Sequence, residues 1–148
     1  MFKKKTEYAL RGLVYIQVQN NNGHKPSIVE IAEEVETPKH FMAKVLQRLV
    51  QHGFLESTKG KNGGYSMSPK HNKLSLKEIV VAIEGDNLFC GCAFGLTQCD
   101  EDNPCPLHEN YAPIRAALNE FVSNESIQNL VGTNPSTFNF ALNRKEDD

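Results

Sequence analysis

A mainly α fold with a small β wing is what this 148-residue sequence predicts: a winged helix-turn-helix domain followed by a long C-terminal dimerisation helix. Two amphipathic helical stripes separated by Thr37-Pro38 give the helix-turn-helix, and a Gly/Lys-rich turn between two short β-prone runs gives the wing. Leu107, Tyr111, Ile114, Leu118 and Phe121, in steps of 4, 3, 4 and 3, give the last helix the seam of one that packs along another helix.

In chain order, Thr6 is placed to cap a first helix running to about Val18, with Tyr8, Leu10, Leu13, Val14 and Ile16 available for packing. Asn20-Asn21-Asn22-Gly23 stops it, and His24-Lys25-Pro26 reads as a short loop or a third strand for the wing. Ser27 and Glu30 make an S-x-x-E box that satisfies free N–H groups at a helix start, and Ile28, Ile31, Ala32 and Val35 line one face. Thr37 then acts as cap and Pro38 as first residue of a second helix, where its missing N–H costs nothing. Phe41, Met42, Val45, Leu46, Leu49 and Val50 turn inward, leaving Lys39, His40, Ala43, Lys44, Gln47 and Gln51 outside. Gly53 ends this helix, and Phe54 to Thr58 pairs with Tyr65 to Ser68 across Lys59-Gly60-Lys61-Asn62-Gly63-Gly64.

Beyond the hairpin, Ser75 and Glu78 form a second capping box, with Leu76, Ile79, Val80 and Ile83 on one face and Gly85 as the stop. Periodicity is absent from Asp86 to Pro106, which reads as loop. Pro113 leaves two starts open for the long helix: near Pro106, with one backbone bond lost at Pro113, or at Pro113 itself. Ser126 to Val131 reads as a last short helix. The expected organisation is residues 1–72 for the winged domain, 73–131 for connecting helix, cysteine loop and dimerisation helix, and 132–148 for a mobile tail.

The formal net charge of −2 hides a split: residues 1–72 hold eleven Lys/Arg against six Asp/Glu, and residues 73–148 hold five against twelve. Such a molecule suits one face to a polyanion and keeps the other away from it. The outer side of the second helix is cationic and mixed in donors and acceptors, as an element entering a major groove must be. Contacts to double-stranded DNA are therefore expected from Thr37, Pro38, Lys39, His40, Phe41, Ala43 and Lys44. The wing, Lys59, Gly60, Lys61, Asn62, Gly63 and Gly64, is expected in the minor groove. A homodimer formed through Tyr111, Ile114, Leu118 and Phe121 would read the two halves of a palindromic operator. No Ser/His/Asp set, phosphate loop or paired catalytic carboxylates stand out, which argues against an enzyme. No stretch approaches a membrane span, and Met1 to Lys5 lacks an apolar export core, so a cytoplasmic location is expected.

The run Cys90-x-Cys92-x6-Cys99-x5-Cys105-x2-His108 gathers four thiols and an imidazole within nineteen residues. In a reducing compartment this points to metal or redox chemistry rather than a structural disulfide. Thiolates favour iron–sulfur clusters or zinc; zinc prefers closely paired ligands, and only Cys105 and His108 have that spacing. An iron–sulfur cluster, zinc, and bare redox thiols such as a Cys90–Cys92 switch all stay open. Glu7, by itself, reads as a carboxylate favoured by the positive end of the first helix.

Five stretches together resemble the Rrf2 family of bacterial transcription regulators over nearly the whole chain. They are Lys5-Thr6-Glu7-Tyr8-Ala9-Leu10-Arg11, Phe41 to Phe54 with Leu49 and Gly53, the turn Lys59 to Tyr65, the helix end Ala82-Ile83-Glu84-Gly85, and the cysteine loop leading into a long helix. The resemblance implies a homodimeric winged-helix protein, usually a repressor, whose long C-terminal helices cross between subunits. In its cluster-binding members three cysteines hold a [2Fe–2S] or [4Fe–4S] centre, and the positions that match are Cys92, Cys99 and Cys105, with Cys90 an extra thiol and alternative first ligand. The gap of six between Cys92 and Cys99 exceeds the five usual in the family's best-known members. For the fourth ligand the resemblance implies either His108 or, in trans, Glu7 of the partner subunit, and Glu7 is favoured because His108 opens a helix.

Overall fold

Helix α1 (Lys4–Asn21) opens the computed structural model, which describes residues 1–133. It buries Thr6, Ala9, Gly12, Leu13 and Ile16 along one stripe. The expected cap at Thr6 is corrected: the helix starts two residues earlier, at Lys4, after an N-cap Lys3 that makes no side-chain cap bond. The buried Thr6 hydroxyl instead donates to Glu84 Oε2 at 2.6 Å, and the Lys3 N–H donates to the same oxygen at 2.9 Å. A carboxylate within reach is a better partner for a buried hydroxyl than an N–H on the solvent side. The helix also passes Val18 and runs through Asn21, with Gly23 at φ +79° turning the chain.

Helix α2 (Ile28–Val35) forms on the predicted capping box, with Ser27 Oγ accepting from Glu30 N at 3.2 Å and Glu30 Oε2 from Ser27 N at 3.1 Å. Glu36 closes it in the left-handed region at φ +56°. Helix α3 (Lys39–Gln51) follows, and here the expected Thr37 cap is corrected as well. Pro38 occupies the cap position, and Thr37 turns inward, 6% exposed, with Oγ1 lacking a hydrogen-bond partner among the described residues. Met42, Val45, Leu46 and Leu49 are the buried face of α3.

The wing is β1 (Leu55–Thr58) antiparallel to β2 (Gly64–Met67), in the register Leu55 to Met67 through Thr58 to Gly64. Gly64 thus belongs to the strand, not to the turn. The segment 24–26 adds no third strand; it gives one bond, Pro26 O accepting from Tyr65 N at 2.9 Å. Pro26 has no N–H with which to continue a ladder. The approach is close enough that a Cβ on Gly64 would overlap the Lys25 carbonyl, so glycine is required there. Asn20 fixes the wing to α1, donating to the carbonyls of His24 (3.0 Å) and Tyr65 (3.2 Å) and accepting from Met67 N (2.8 Å).

Helix α4 (Leu76–Glu84) repeats the capping-box start at Ser75 and ends at Gly85, φ +87°. The expected loop contains one short helix, α5 (Asn87–Cys90), too brief to carry a periodic signal. Helix α6 (His108–Asn124) settles the two starts: it begins after Leu107, and Pro113 lies inside it. Helix α7 (Ile127–Thr133) is docked by Gln128, which accepts from Leu74 N at 2.9 Å and donates to His71 O at 3.1 Å. The expected tail 132–148 lies outside the described residues apart from Gly132 and Thr133, which continue α7. One core joins residues on both sides of position 72, with Leu13, Met42 and Leu46 packed with Ile79, Val122 and Ile127.

A candidate nucleic-acid interface beside a cysteine loop

Helix α3 follows from its sequence: thirteen residues without an acid, an apolar stripe centred on Met42 and Leu46, and the opposite side left to solvent. Pro38, Lys39, His40, Lys44 and Gln47 are exposed and Ala43 is half-buried. Phe41, expected in the core, is corrected: it is 50% exposed, its ring 4.4 Å from that of His40. Lying one residue, about 100° of helix, ahead of Met42, it falls beside the buried stripe and not within it. Thr37, expected as a DNA contact, has its side chain inside the molecule. In the wing Lys59, Gly60, Lys61 and Asn62 are exposed, and Gly63 and Gly64 are half-buried.

Arg48 is a further residue that the fold puts to use. Its Nε donates at 2.8 Å to Ala82 O, one of the carbonyls that the end of α4 leaves without an intrahelical partner. The signal that could have found it was weak: a cation in the last turn of a helix. Through this bond and through Glu84 on Thr6 and Lys3, the end of α4 grips both α3 and α1 just before the cysteine loop begins.

Within that loop the thiols fall into pairs. Cys92 Sγ lies 3.6 Å from Cys105 Sγ, and Cys99 Sγ lies 3.3 Å from His108 Nδ1. Cys90 is exposed and lies 3.3 Å from the Asp86 carbonyl. A Cys90–Cys92 switch therefore does not match the contacts seen, because Cys92 faces Cys105. The backbone N–H of Leu96, then that of Phe94, the Cys105 thiol and the Gly95 N–H, draw the Cys92 thiol below its ordinary pKa. Arg115 of α6 spans the loop, donating to Gly91 O at 2.9 Å and stacking 5.9 Å from the Tyr111 ring centre. Glu7 is paired with Lys4 at 3.6 Å. Among the described residues no three His, Cys, Asp or Glu side chains converge as ligands for one ion.

On α6, Ile114 is 64% and Phe121 49% exposed, Leu107 before them is exposed as well, and Tyr111 and Leu118 are half-buried. No helix among the described residues is long and apolar enough to cross a membrane.

The model of the Rrf2 family, described as an iron-dependent transcriptional regulator, matches residues 2–133. Protein aau3 of Rhizobium meliloti is 32% identical over 152 residues, spanning 97% of this chain and 92% of that protein. The HTH-type transcriptional repressor NsrR of Streptomyces coelicolor is 31% identical over 104 residues, spanning 70% of this chain and 66% of that protein. In fold, CymR, the global cysteine regulator of B. subtilis, matches with a TM-score of 0.70 over 90% of this chain and 97% of its own, at 19% identity. The winged helix, its cationic outer face and these matches agree: the chain belongs to the Rrf2 family of transcriptional regulators, which are DNA-binding proteins and not enzymes.

Proposed function

We propose that the protein is a cytoplasmic, homodimeric repressor whose hold on a palindromic DNA operator is set by an iron–sulfur cluster, [2Fe–2S] or [4Fe–4S], in the cysteine loop. The observation that carries this reading is the pairing of three thiols and an imidazole, Cys92 with Cys105 at 3.6 Å and Cys99 with His108 at 3.3 Å. Two sulfur ligands bonded at about 2.3 Å to one tetrahedral metal stand about 3.8 Å apart, so the Cys92–Cys105 pair fits one iron of a [2Fe–2S] centre. A [4Fe–4S] centre takes one protein ligand per iron and would need the pairs to part. Two separate pairs favour a polynuclear centre over a single zinc, which needs all its ligands in one shell. Cys92, Cys99, Cys105 and His108 would hold the group, which would supply a centre sensitive to iron supply, nitric oxide or oxidation. His108 is preferred to Glu7 of the partner subunit because it already meets Cys99.

The chain's own residues supply the transmission. Arg115 fastens the loop to α6 at Gly91, and Gly85 joins the loop to α4, whose end holds Arg48 of the reading helix and Thr6 of α1. A rearranged loop therefore reaches both helices, and a coupling of about 1–3 kcal/mol is enough to alter operator affinity usefully. Lys39, Lys44, Lys59 and Lys61 take phosphates; Pro38, His40 and Ala43, with Lys39, face base edges. Ile114 and Phe121 form the dimer seam.

Anaerobic purification with absorption and Mössbauer spectra tests the reading. A brown protein that loses its colour when Cys92, Cys99 or Cys105 becomes Ser, and whose spectrum changes in His108→Ala but not Glu7→Ala, is expected. A colourless protein with stoichiometric zinc would overturn it. A second reading, a thiol switch without metal, rests on the acidified Cys92 facing Cys105. Mild peroxide, reduced to water as it oxidises two thiols, would then give a Cys92–Cys105 disulfide in mass spectra of the metal-free protein.

A further inference from the structure

Phe41 is a large apolar side chain where a DNA-reading surface should be polar. It stands in the first turn of α3, half exposed, three residues before the exposed Lys44 and so beside it on the helix surface, on a helix without an acidic residue. Its ring lies 4.4 Å from the His40 ring at 35°. The buried stripe of α3 is complete without it, since Met42, Val45, Leu46 and Leu49 fill the interior.

An apolar tip on a helix whose exposed charges are all cationic selects a partner that is anionic overall and apolar at one point. In the major groove of a duplex only one such point exists, the C5-methyl of thymine; the other edges present donors and acceptors. We infer that Phe41 is a specificity-determining residue that packs against a thymine methyl in each operator half-site. The inference rests on the DNA-reading role proposed for α3. Lys39 and Lys44 hold the backbone, which carries no sequence information, while Phe41 makes one base pair distinguishable from its neighbours. An apolar ring also discriminates against cytosine at that position, because the cytosine amino group would lose its water without gaining an acceptor.

The test is a methyl deletion. Operators are first enriched from random duplexes with the full-length protein, and each thymine is then replaced singly by uracil, which removes only the methyl. Binding by the wild-type protein should weaken about fourfold at one thymine in each half-site, the worth of one buried methyl group. Phe41→Ala should bind more weakly overall and be indifferent to uracil at that position; Phe41→Leu should keep part of the preference. Thermal unfolding of both variants should match the wild type, as Phe41 is outside the core. An enriched operator that tolerates uracil everywhere, or one that loses affinity equally with wild type and Phe41→Ala, would overturn the methyl contact alone. Failure to enrich any duplex would overturn the DNA-reading role and this inference together.

Discussion

Thr37 and Asn20 are polar residues in opposite circumstances. Asn20 uses three hydrogen bonds to hold the wing against α1, so Asn20→Ala leaves the carbonyl of Tyr65 and the N–H of Met67 short of a partner in a partly buried place. A loss of about 1–3 kcal/mol in urea unfolding is expected. Thr37 has a buried hydroxyl with no partner among the described residues. Thr37→Val, nearly the same shape without the polar atom, should raise stability by about 1 kcal/mol. The direction of change discriminates between two roles, because a true N-cap would lose about 1 kcal/mol on the same substitution. Single residues near helix starts were where the sequence was least legible. Thr6, Thr37 and Phe41 each sit within a residue or two of a boundary, where a one-position shift turns a side chain by about 100° from surface to interior.

Elements whose start is written in side chains came out as expected. The boxes Ser27/Glu30 and Ser75/Glu78 fix their helices locally, and both stripes turn inward, buried except for the half-buried Ile28. The wing was legible for a related reason: the glycine-rich run from Lys59 to Gly63 sets a turn locally, with Gly60 at φ +102°. What was not legible lacked a local cause. The pairing of Cys92 with Cys105 and of Cys99 with His108 depends on how a loop without periodicity folds back on α6, and the Arg48 to Ala82 bond depends on two helices meeting. Helix α6 shows the competition within one element. Pro113 removes the N–H that would bond to the Glu109 carbonyl, yet the helix continues through it. Pro113→Ala should therefore stabilise the protein by up to about 3 kcal/mol, read as a rise in thermal midpoint. An unchanged midpoint would mean that packing on Pro113 offsets its cost.

At the scale of the molecule, the exposed residues Ile114 and Phe121, two helical turns apart on α6, make one apolar row with Leu107. Water tolerates single exposed apolar groups readily and a continuous row poorly, so a second copy is the economical cover. Replacing both Ile114 and Phe121 by Lys should give a monomer by sedimentation. Operator affinity should then fall by on the order of 100-fold, because one half-site binds without the other.

The charge split is the other molecular property, and it sets how affinity responds to salt. Each lysine on a phosphate releases condensed counterions, so the logarithm of affinity falls with the logarithm of salt by about 0.9 per contact. Lys59 and Lys61 are both exposed at the wing tip, where a turn of glycines leaves nothing to hold the backbone off a phosphate. Lys59→Ala with Lys61→Ala should therefore lower the slope by about two while leaving the preferred operator unchanged, since phosphate contacts carry no sequence information. The acidic half, on this account, takes no part: neutralising Asp100 and Asp102 in the cysteine loop should leave the slope where it was. A wing variant with an unaltered slope would place the wing away from the duplex and leave α3 as the surface that touches it.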